Sequence, residues 1–156
     1  MRKLIFLVIF ISLTGCATLS IDMTSAKKVI IGADSYFLSK PDIKNETGGD
    51  FAEIFSSGLS FSLKKKNYRV ESYYTAPGEE KNFRYRLVIR GSILKTGGVF
   101  DASESASIYI SVYDSTDNKE LALIRVICSE CGFTDTSKIS DICSKTAEKI
   151  DGLVKR

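Results

Sequence analysis

The chain has 156 residues, of which 22 are lysine or arginine, 19 are aspartate or glutamate and none is histidine. This length suits one ordinary domain with a core of its own. Without histidine the chain lacks the usual general base and the commonest metal ligand, and the near balance of charge excludes the strong basic field that nucleic-acid binding needs.

The N-terminal segment has the pattern of an export signal. Arg2 and Lys3 precede an apolar run over residues 4–11. That run is too short to cross a bilayer, because a crossing takes about 20 apolar residues. It leads into Leu-Thr-Gly-Cys at positions 13–16, which resembles the lipobox of bacterial lipoproteins, whose cysteine is acylated and becomes the new N-terminus. The alternative is an ordinary cleaved secretion signal with a chance cysteine after it.

The lipobox resemblance implies a location for the protein. Cys16 would carry two or three acyl chains, which hold a domain on a membrane far more firmly than one chain does. Ala17 replaces the aspartate that retains such proteins at the inner membrane, so the expected location is the periplasmic face of the outer membrane. In a Gram-positive host it would be the outer face of the plasma membrane. We predict residues 1–15 as the leader, 16–25 as a lipidated tether and 26–156 as a single domain.

The first half of the domain is predicted to hold one strand and one helix. The strand lies within residues 27–38, which are rich in β-branched side chains, and the next twelve residues are rich in turn formers. Asp50 and Glu53 have the spacing of a capping box at the start of a helix. The helix ends in three lysines, and Asn67 is suited to the left-handed conformation that stops it.

Four strands and a second helix follow in the sequence. Alternating apolar and polar residues predict strands at 68–75, 83–94, 106–114 and 119–128, and helical spacing predicts a helix from Thr136 or Ser137 to Gly152. The resulting order is β-α-β-β-β-β-α. It predicts an α+β fold, a two-layer sandwich in which two helices cover one face of a mostly antiparallel sheet of about five strands.

The hairpin between the last two strands resembles a known family. Asp114, Thr116 and Leu121 match the "Asp-x-Thr-Gly-x-x-Leu" hairpin of periplasmic lipoproteins such as penicillin-binding-protein activators and curli-secretion subunits, although Asp and Asn at 117–118 replace the usual glycine. The similarity covers residues 28–150 at the level of pattern. It implies a helix-on-sheet domain that binds proteins or assembles and is not an enzyme.

Three cysteines remain after lipidation: Cys128, Cys131 and Cys143. In an oxidising compartment this number predicts one disulfide and one spare thiol. Cys128 lies on the inward face of its strand and Cys143 on the apolar stripe of the last helix, so a Cys128–Cys143 bridge is predicted, with Cys131–Cys143 as the alternative. A redox site at Cys128 and Cys131 is a further hypothesis. A zinc site lacks a fourth ligand, so no metal or cofactor is expected.

The outward face of the sheet offers the best candidate for a binding surface. Arg84, Arg86 and Arg90 are predicted to point outward beside Tyr109 and Tyr113. Arginine and tyrosine are common at interface hot spots, because each buries much area and keeps a polar contact. The alternative is a solvated face on which Arg–Tyr pairs strengthen the sheet.

The sequence therefore predicts a membrane-anchored cell-envelope lipoprotein that acts as a binding or assembly module and is not an enzyme. Its partners would be the membrane and an envelope protein, and neither a nucleic acid nor a small-molecule substrate is inferred. A thiol-active protein and a structural lipoprotein without a dedicated partner are the alternatives.

Overall fold

The computed structural model describes residues 18–26, 30–45, 50–96, 103–129 and 136–155. Cys16 and Cys131 lie outside the described residues. The described elements, in chain order, are β1 (Thr18–Ala26), β2 (Ile30–Ile31), β3 (Ser35–Leu38), β4 (Asp42–Asn45), α1 (Phe51–Lys65), β5 (Arg69–Ser72), β6 (Tyr85–Thr96), β7 (Ser103–Asp114), β8 (Lys119–Ser129), α2 (Thr136–Asp151) and β9 (Val154–Lys155).

The strands form a seven-stranded mixed sheet in the order β1-β8-β7-β6-β3-β5, with β4 also paired to β6. The three long strands β6, β7 and β8 and the edge strand β1 pair antiparallel, whereas β3, β4 and β5 join in parallel. A separate two-stranded sheet pairs β2 with β9. The predicted α+β class with a mostly antiparallel sheet is confirmed, and the sheet has more strands than the five that were predicted.

One face of the sheet is buried beneath α1 and α2. Alternate residues of the long strands point into this core, among them Leu87, Ile89, Ile108, Ile110, Ile124 and Val126. The helices contribute Phe55, Leu59, Ile142 and Ile150 to the same cluster. Because side chains alternate along a strand, the remaining residues of β6, β7 and β8 form a second face, which the helices leave uncovered.

The ends of α1 follow the sequence prediction in part. Asn67 has φ 67°, the left-handed conformation that was expected to stop the helix. Asp50 precedes the first turn, but its side chain makes no capping hydrogen bond, so the predicted capping box is wrong.

The tether predicted at 16–25 is wrong from Thr18 onward, because Thr18–Ala26 forms β1. Leu19 and Ile21 of β1 pack against the core on the helix side, and the strand pairs with β8 along its length. Alternation of these apolar residues with Ser20 and Asp22 is the signal that favours a strand here. Position 16 is thereby two residues from the sheet in sequence.

Candidate functional site: the open face of the sheet

The register of the sheet aligns five polar side chains across the open face. Tyr109 of β7 lies opposite Arg90 of β6 and Arg125 of β8, Arg125 lies opposite Asp22 of β1, and Arg90 lies opposite Asp42 of β4. We refer to these five residues as the Arg–Tyr row. The row reads acid, arginine, tyrosine, arginine, acid across five neighbouring strands.

The centre of the row is accessible, and its cations lack ionic partners among the residues that the structure describes. Tyr109 is 37% exposed and Arg90 is also exposed. Arg125 is half-buried, and its Nε is shielded from solvent without a hydrogen-bond partner among the described residues. Within the same described ranges neither Arg90 nor Arg125 forms an ion pair. Two guanidinium groups therefore flank one phenol with donors available to a ligand.

The neighbouring pair on the face is held by internal contacts. The guanidinium of Arg86 lies 5.6 Å from the ring centroid of Tyr113, and its Nη2 donates a 2.9 Å hydrogen bond to Oδ1 of Asn118. Such cation–π and hydrogen-bond contacts stabilise the β7–β8 hairpin. Arg86 and Tyr113 lie on the open face as predicted, but they are more restrained than the Arg–Tyr row.

Arg84 does not join this surface. Its Nε lies 3.4 Å from Oδ2 of Asp114, and its guanidinium lies 5.1 Å from the ring centroid of Tyr85, a residue of the helix-covered face. The prediction that Arg84 points outward beside Tyr109 and Tyr113 is wrong, because these contacts hold the side chain at the end of the sheet.

Asp114 organises the turn that carries this end of the sheet. Its Oδ1 accepts a 2.9 Å hydrogen bond from the backbone N–H of Thr116. The hydrogen bonds from Thr116, followed by the charge of Arg84, lower the pKa of Asp114 below its usual value. Asn118 has φ 51°, a left-handed conformation that glycine adopts most readily. The motif thus builds a turn, and the turn positions Asn118 for Arg86.

A small apolar cluster covers the open face beside Arg86, on the β3–β5 side of the sheet. Phe37 of β3 is buried against Phe83, with ring centroids 5.7 Å apart, and the guanidinium of Arg69 lies 5.4 Å from the Phe83 ring centroid. A 3₁₀ turn, Glu79–Asn82, immediately precedes Phe83. The cluster leaves the part of the face around Tyr109 as the accessible surface.

The cysteines differ from the prediction. Cys143 is a free, fully buried thiol, whereas Cys128 is disulfide-bonded. Both predicted bridges that used Cys143 are therefore wrong. Cys143 packs between the helices, where its Sγ donates to the carbonyl of Phe55 at 3.5 Å, and burial raises the pKa of this thiol to about 12. Of the pairings considered from the sequence, Cys128 with Cys131 remains.

Other kinds of site find no support in the described part of the chain. Its cysteine, aspartate and glutamate side chains contain no cluster of three that could hold a metal ion. No helix in these residues is long and apolar enough to cross a membrane.

Three members of the Arg–Tyr row were missed by sequence reasoning. Asp42 was missed because its segment is rich in turn formers and was not expected to form a strand. Arg125 alternates with the inward residues Ile124 and Val126, so the alternation of β8 would have placed it on the open face. Asp22 was missed because its segment was assigned to the tether. Arg90 and Tyr109 were predicted for this face, and the structure places them side by side.

Comparison with known proteins identifies the fold class. No protein-family model matches the chain, and no curated protein is significantly similar to it. Among solved structures, the PelC dodecamer from Paraburkholderia phytofirmans has a TM-score of 0.64 at 14% identity, covering 89% of this chain and all of that one (100%). A variant of that PelC with a single substituted residue, also a dodecamer, has a TM-score of 0.57 at 18% identity, covering 83% of this chain and 94% of that one.

A third solved structure extends the likeness. A DUF4136 family protein from Bacteroides thetaiotaomicron VPI-5482 has a TM-score of 0.53 at 7% identity, covering 90% of this chain and 98% of that one. At these identities the likeness shows the fold alone. The chain thus has an α+β helix-on-sheet fold that also occurs in bacterial proteins of similar length, one of which forms a dodecamer.

Proposed function

We propose that this protein is a lipid-anchored cell-envelope lipoprotein that acts as a binding and assembly module without enzymatic activity. The lipobox at positions 13–16 supports the anchor at Cys16, and Ala17 supports the periplasmic face of the outer membrane as its location. Because β1 begins at Thr18, such an anchor would hold the sheet close to the lipid headgroups, without a long flexible linker between them.

The observation that carries the binding function is the centre of the Arg–Tyr row. Arg90 and Arg125 flank the exposed Tyr109 without ion pairs among the described residues. Bidentate guanidinium groups match carboxylates, and a half-exposed tyrosine adds apolar contact with little loss of side-chain entropy. The partner we propose is an envelope protein that places a carboxylate between the two arginines and an apolar side chain against Tyr109.

Photo-crosslinking in intact envelopes tests this proposal. A benzophenone amino acid at Ser107, a neighbour of Tyr109 on the open face, should capture a protein partner in the wild-type background. Arg90→Glu with Arg125→Glu should reduce that product about tenfold or more, because removal of a hot-spot contact costs about 2 kcal/mol or more.

Two controls make the result specific. Arg84→Glu removes a positive charge at the end of the sheet and should leave the crosslink intact. A benzophenone at Ser57, an exposed residue of α1, should not give the same product. An unchanged product in the double variant contradicts the docking surface. A wild type without any product favours a structural lipoprotein.

Assembly is supported by the fold of the PelC dodecamer and by the hairpin resemblance to lipoproteins that assemble. Both are arguments from likeness, and they do not supply a stoichiometry for this chain. They do favour looking for an interface through which copies of the chain associate.

A thiol-active function is the second candidate, because Cys128 is disulfide-bonded and Cys143 is not its partner. A Cys128–Cys131 couple would fit it. However, Cys128 is fully buried, whereas an exchanging disulfide needs an accessible sulfur. A bridge that resists mild reduction in the folded protein would leave this candidate without support.

A further inference from the structure

The two sides of the sheet end in strands whose outer edges are unpaired within the described residues. β1 pairs only with β8, on one side. On the opposite side the sheet ends in β5, which pairs with β3, and next to these two strands β4 pairs only with β6. An unpaired edge offers a row of backbone N–H and C=O groups to another strand.

The edge of β1 carries few of the features that usually block such pairing, although its register with β8 shifts between Met23 and Ser25, so its regular part is residues 18–23. Its nine residues, Thr18–Ala26, include no lysine, arginine or proline and one charged residue, Asp22. Met23 is 36% exposed on the helix side. Long edges of this kind commonly carry a lysine or a proline when they stay solitary.

The edge of β4 has complementary chemistry. Ile43 is half-buried and packs against the core on the helix side, while Lys44 is exposed on the open face. Lys44 forms no ion pair within the described part of the chain. An apolar side chain and a cation therefore alternate along β4, as Met23 and Asp22 do along β1.

The strand directions are also compatible. β1 is antiparallel to β8, and β8 runs in the same direction as β6 because both are antiparallel to β7. β4 is parallel to β6, so β1 and β4 run in opposite directions. Two copies placed side by side in one orientation would bring β1 of the first against β4 of the second as an antiparallel pair, the commoner arrangement in sheets.

We propose that copies of this chain associate head to tail through β1 and β4, with Asp22 of one copy opposite Lys44 of the next and Met23 opposite Ile43. In an antiparallel pair, aligning 22 with 44 also aligns 23 with 43. Both pairings then keep each side chain on its own face of the sheet, the charged pair on the open face and the apolar pair on the helix side. This proposal rests on the assembly part of the proposed function and adds the surface that performs it.

The lipid anchor favours this geometry over a symmetric β1–β1 pair. Head-to-tail copies share one orientation, so every Cys16 lies on the same side of the assembly. A two-fold β1–β1 pair would place the two chain starts at opposite ends of the paired strands, about 27 Å apart at about 3.4 Å per residue. Because β4 has four residues, each contact is small, and confinement to a membrane would strengthen it by raising the effective concentration.

The charge pair provides the test, read by native mass spectrometry of the full-length lipidated protein released from detergent micelles. The wild type should give oligomers. Asp22→Lys and Lys44→Asp should each weaken association about tenfold or more, because each juxtaposes like charges in every contact. The variant with both substitutions should recover the oligomers, and so should an equimolar mixture of the two single variants. Lys81→Asp, an exposed change on the 3₁₀ turn, is the matched control and should behave as wild type.

The mixture distinguishes this interface from others. Loss of oligomers in Lys44→Asp together with recovery in the mixture requires that position 22 of one copy meets position 44 of another, because a two-fold β1–β1 contact does not involve position 44. A monomeric wild type, unaffected single variants or failure of the mixture to recover would each overturn the proposal. Since Asp22 also lies beside Arg125, Lys44→Asp separates this test from that of the open face: it should lose oligomers and keep the crosslink at Ser107.

Discussion

Replacing Gly58 by alanine tests how closely the two helices pack beneath the sheet. A Cβ built on Gly58 would lie 3.0 Å from Sγ and 3.6 Å from Cβ of Cys143. The favourable range for carbon contacts is about 3.5–4.0 Å. Alanine gains about 1 kcal/mol of helix propensity over glycine, whereas overpacking a core costs about 1–3 kcal/mol. We expect the overpacking to exceed the gain, with a net loss of about 1 kcal/mol and a fall in Tm of about 3 °C.

The same substitution should have the opposite sign when the sulfur is removed. In a Cys143→Ala background, Gly58→Ala should stabilise by about 1 kcal/mol, so the two positions should couple by about 2 kcal/mol in a double-mutant cycle. Thermal and urea unfolding followed by circular dichroism measure both terms. Ser57→Ala, at an exposed position of α1, is the control and should show a small gain in both backgrounds. Equal effects of Gly58→Ala with and without Cys143 would refute the close approach of α1 and α2.

Three further predictions concern the sheet and the cysteines. Gly91→Ala should lower the free energy of unfolding by about 3 kcal/mol or more in thermal unfolding. The new Cβ would lie 2.3 Å from the carbonyl oxygen of Ser107 on β7, and this clash can be relieved only by moving the backbone. Asp114→Asn should reduce stability at neutral pH. The folded pKa of Asp114 is lowered, so the stabilisation by its carboxylate is present above the unfolded pKa near 3.8 and is lost as pH falls through the folded pKa. Urea unfolding should therefore show the stabilities of the wild type and the Asp114→Asn variant converging in acid. Cys143 should resist a thiol reagent at pH 8 in the folded protein and react in denaturant, because it is buried and its pKa is raised. A thiol that reacts rapidly in the folded state would contradict that assignment.

The sequence predicts the parts of this fold in which periodicity and burial agree. The strands β6, β7 and β8 alternate cleanly, and α1 and α2 carry their apolar residues at helical spacing, so their order and faces follow from local pattern. β1 and β4 were missed for a different reason. β4 sits in a segment rich in turn formers and β1 in a segment that was assigned to a tether, and each is a strand because a long neighbour offers it an edge.

The candidate site shows the same division. Alternation is sufficient to place Arg90 and Tyr109 on the open face, but it does not reveal which arginines already make contacts with other side chains of the same chain. Arg84 and Arg86 find Asp114 and Asn118 only because the β7–β8 turn folds back toward them. The cysteine pairing failed similarly, since facing the same core does not bring Cys128 and Cys143 within bonding distance.

The Arg–Tyr row also constrains how assembled copies can use their open faces. Its charges are palindromic about Tyr109, with Arg90 and Arg125 inside and Asp42 and Asp22 outside. Two copies could stack their open faces about a two-fold axis that runs parallel to the strands. This arrangement would place Arg90 opposite Arg125 and Asp22 opposite Asp42. A two-fold axis parallel to the row would instead place each residue opposite the same residue of the other copy. Like charges directly opposed are destabilising in either case. Edge-to-edge copies would therefore keep their open faces unstacked and present one row per copy on the same side, so that a partner with repeated carboxylates would bind with avidity.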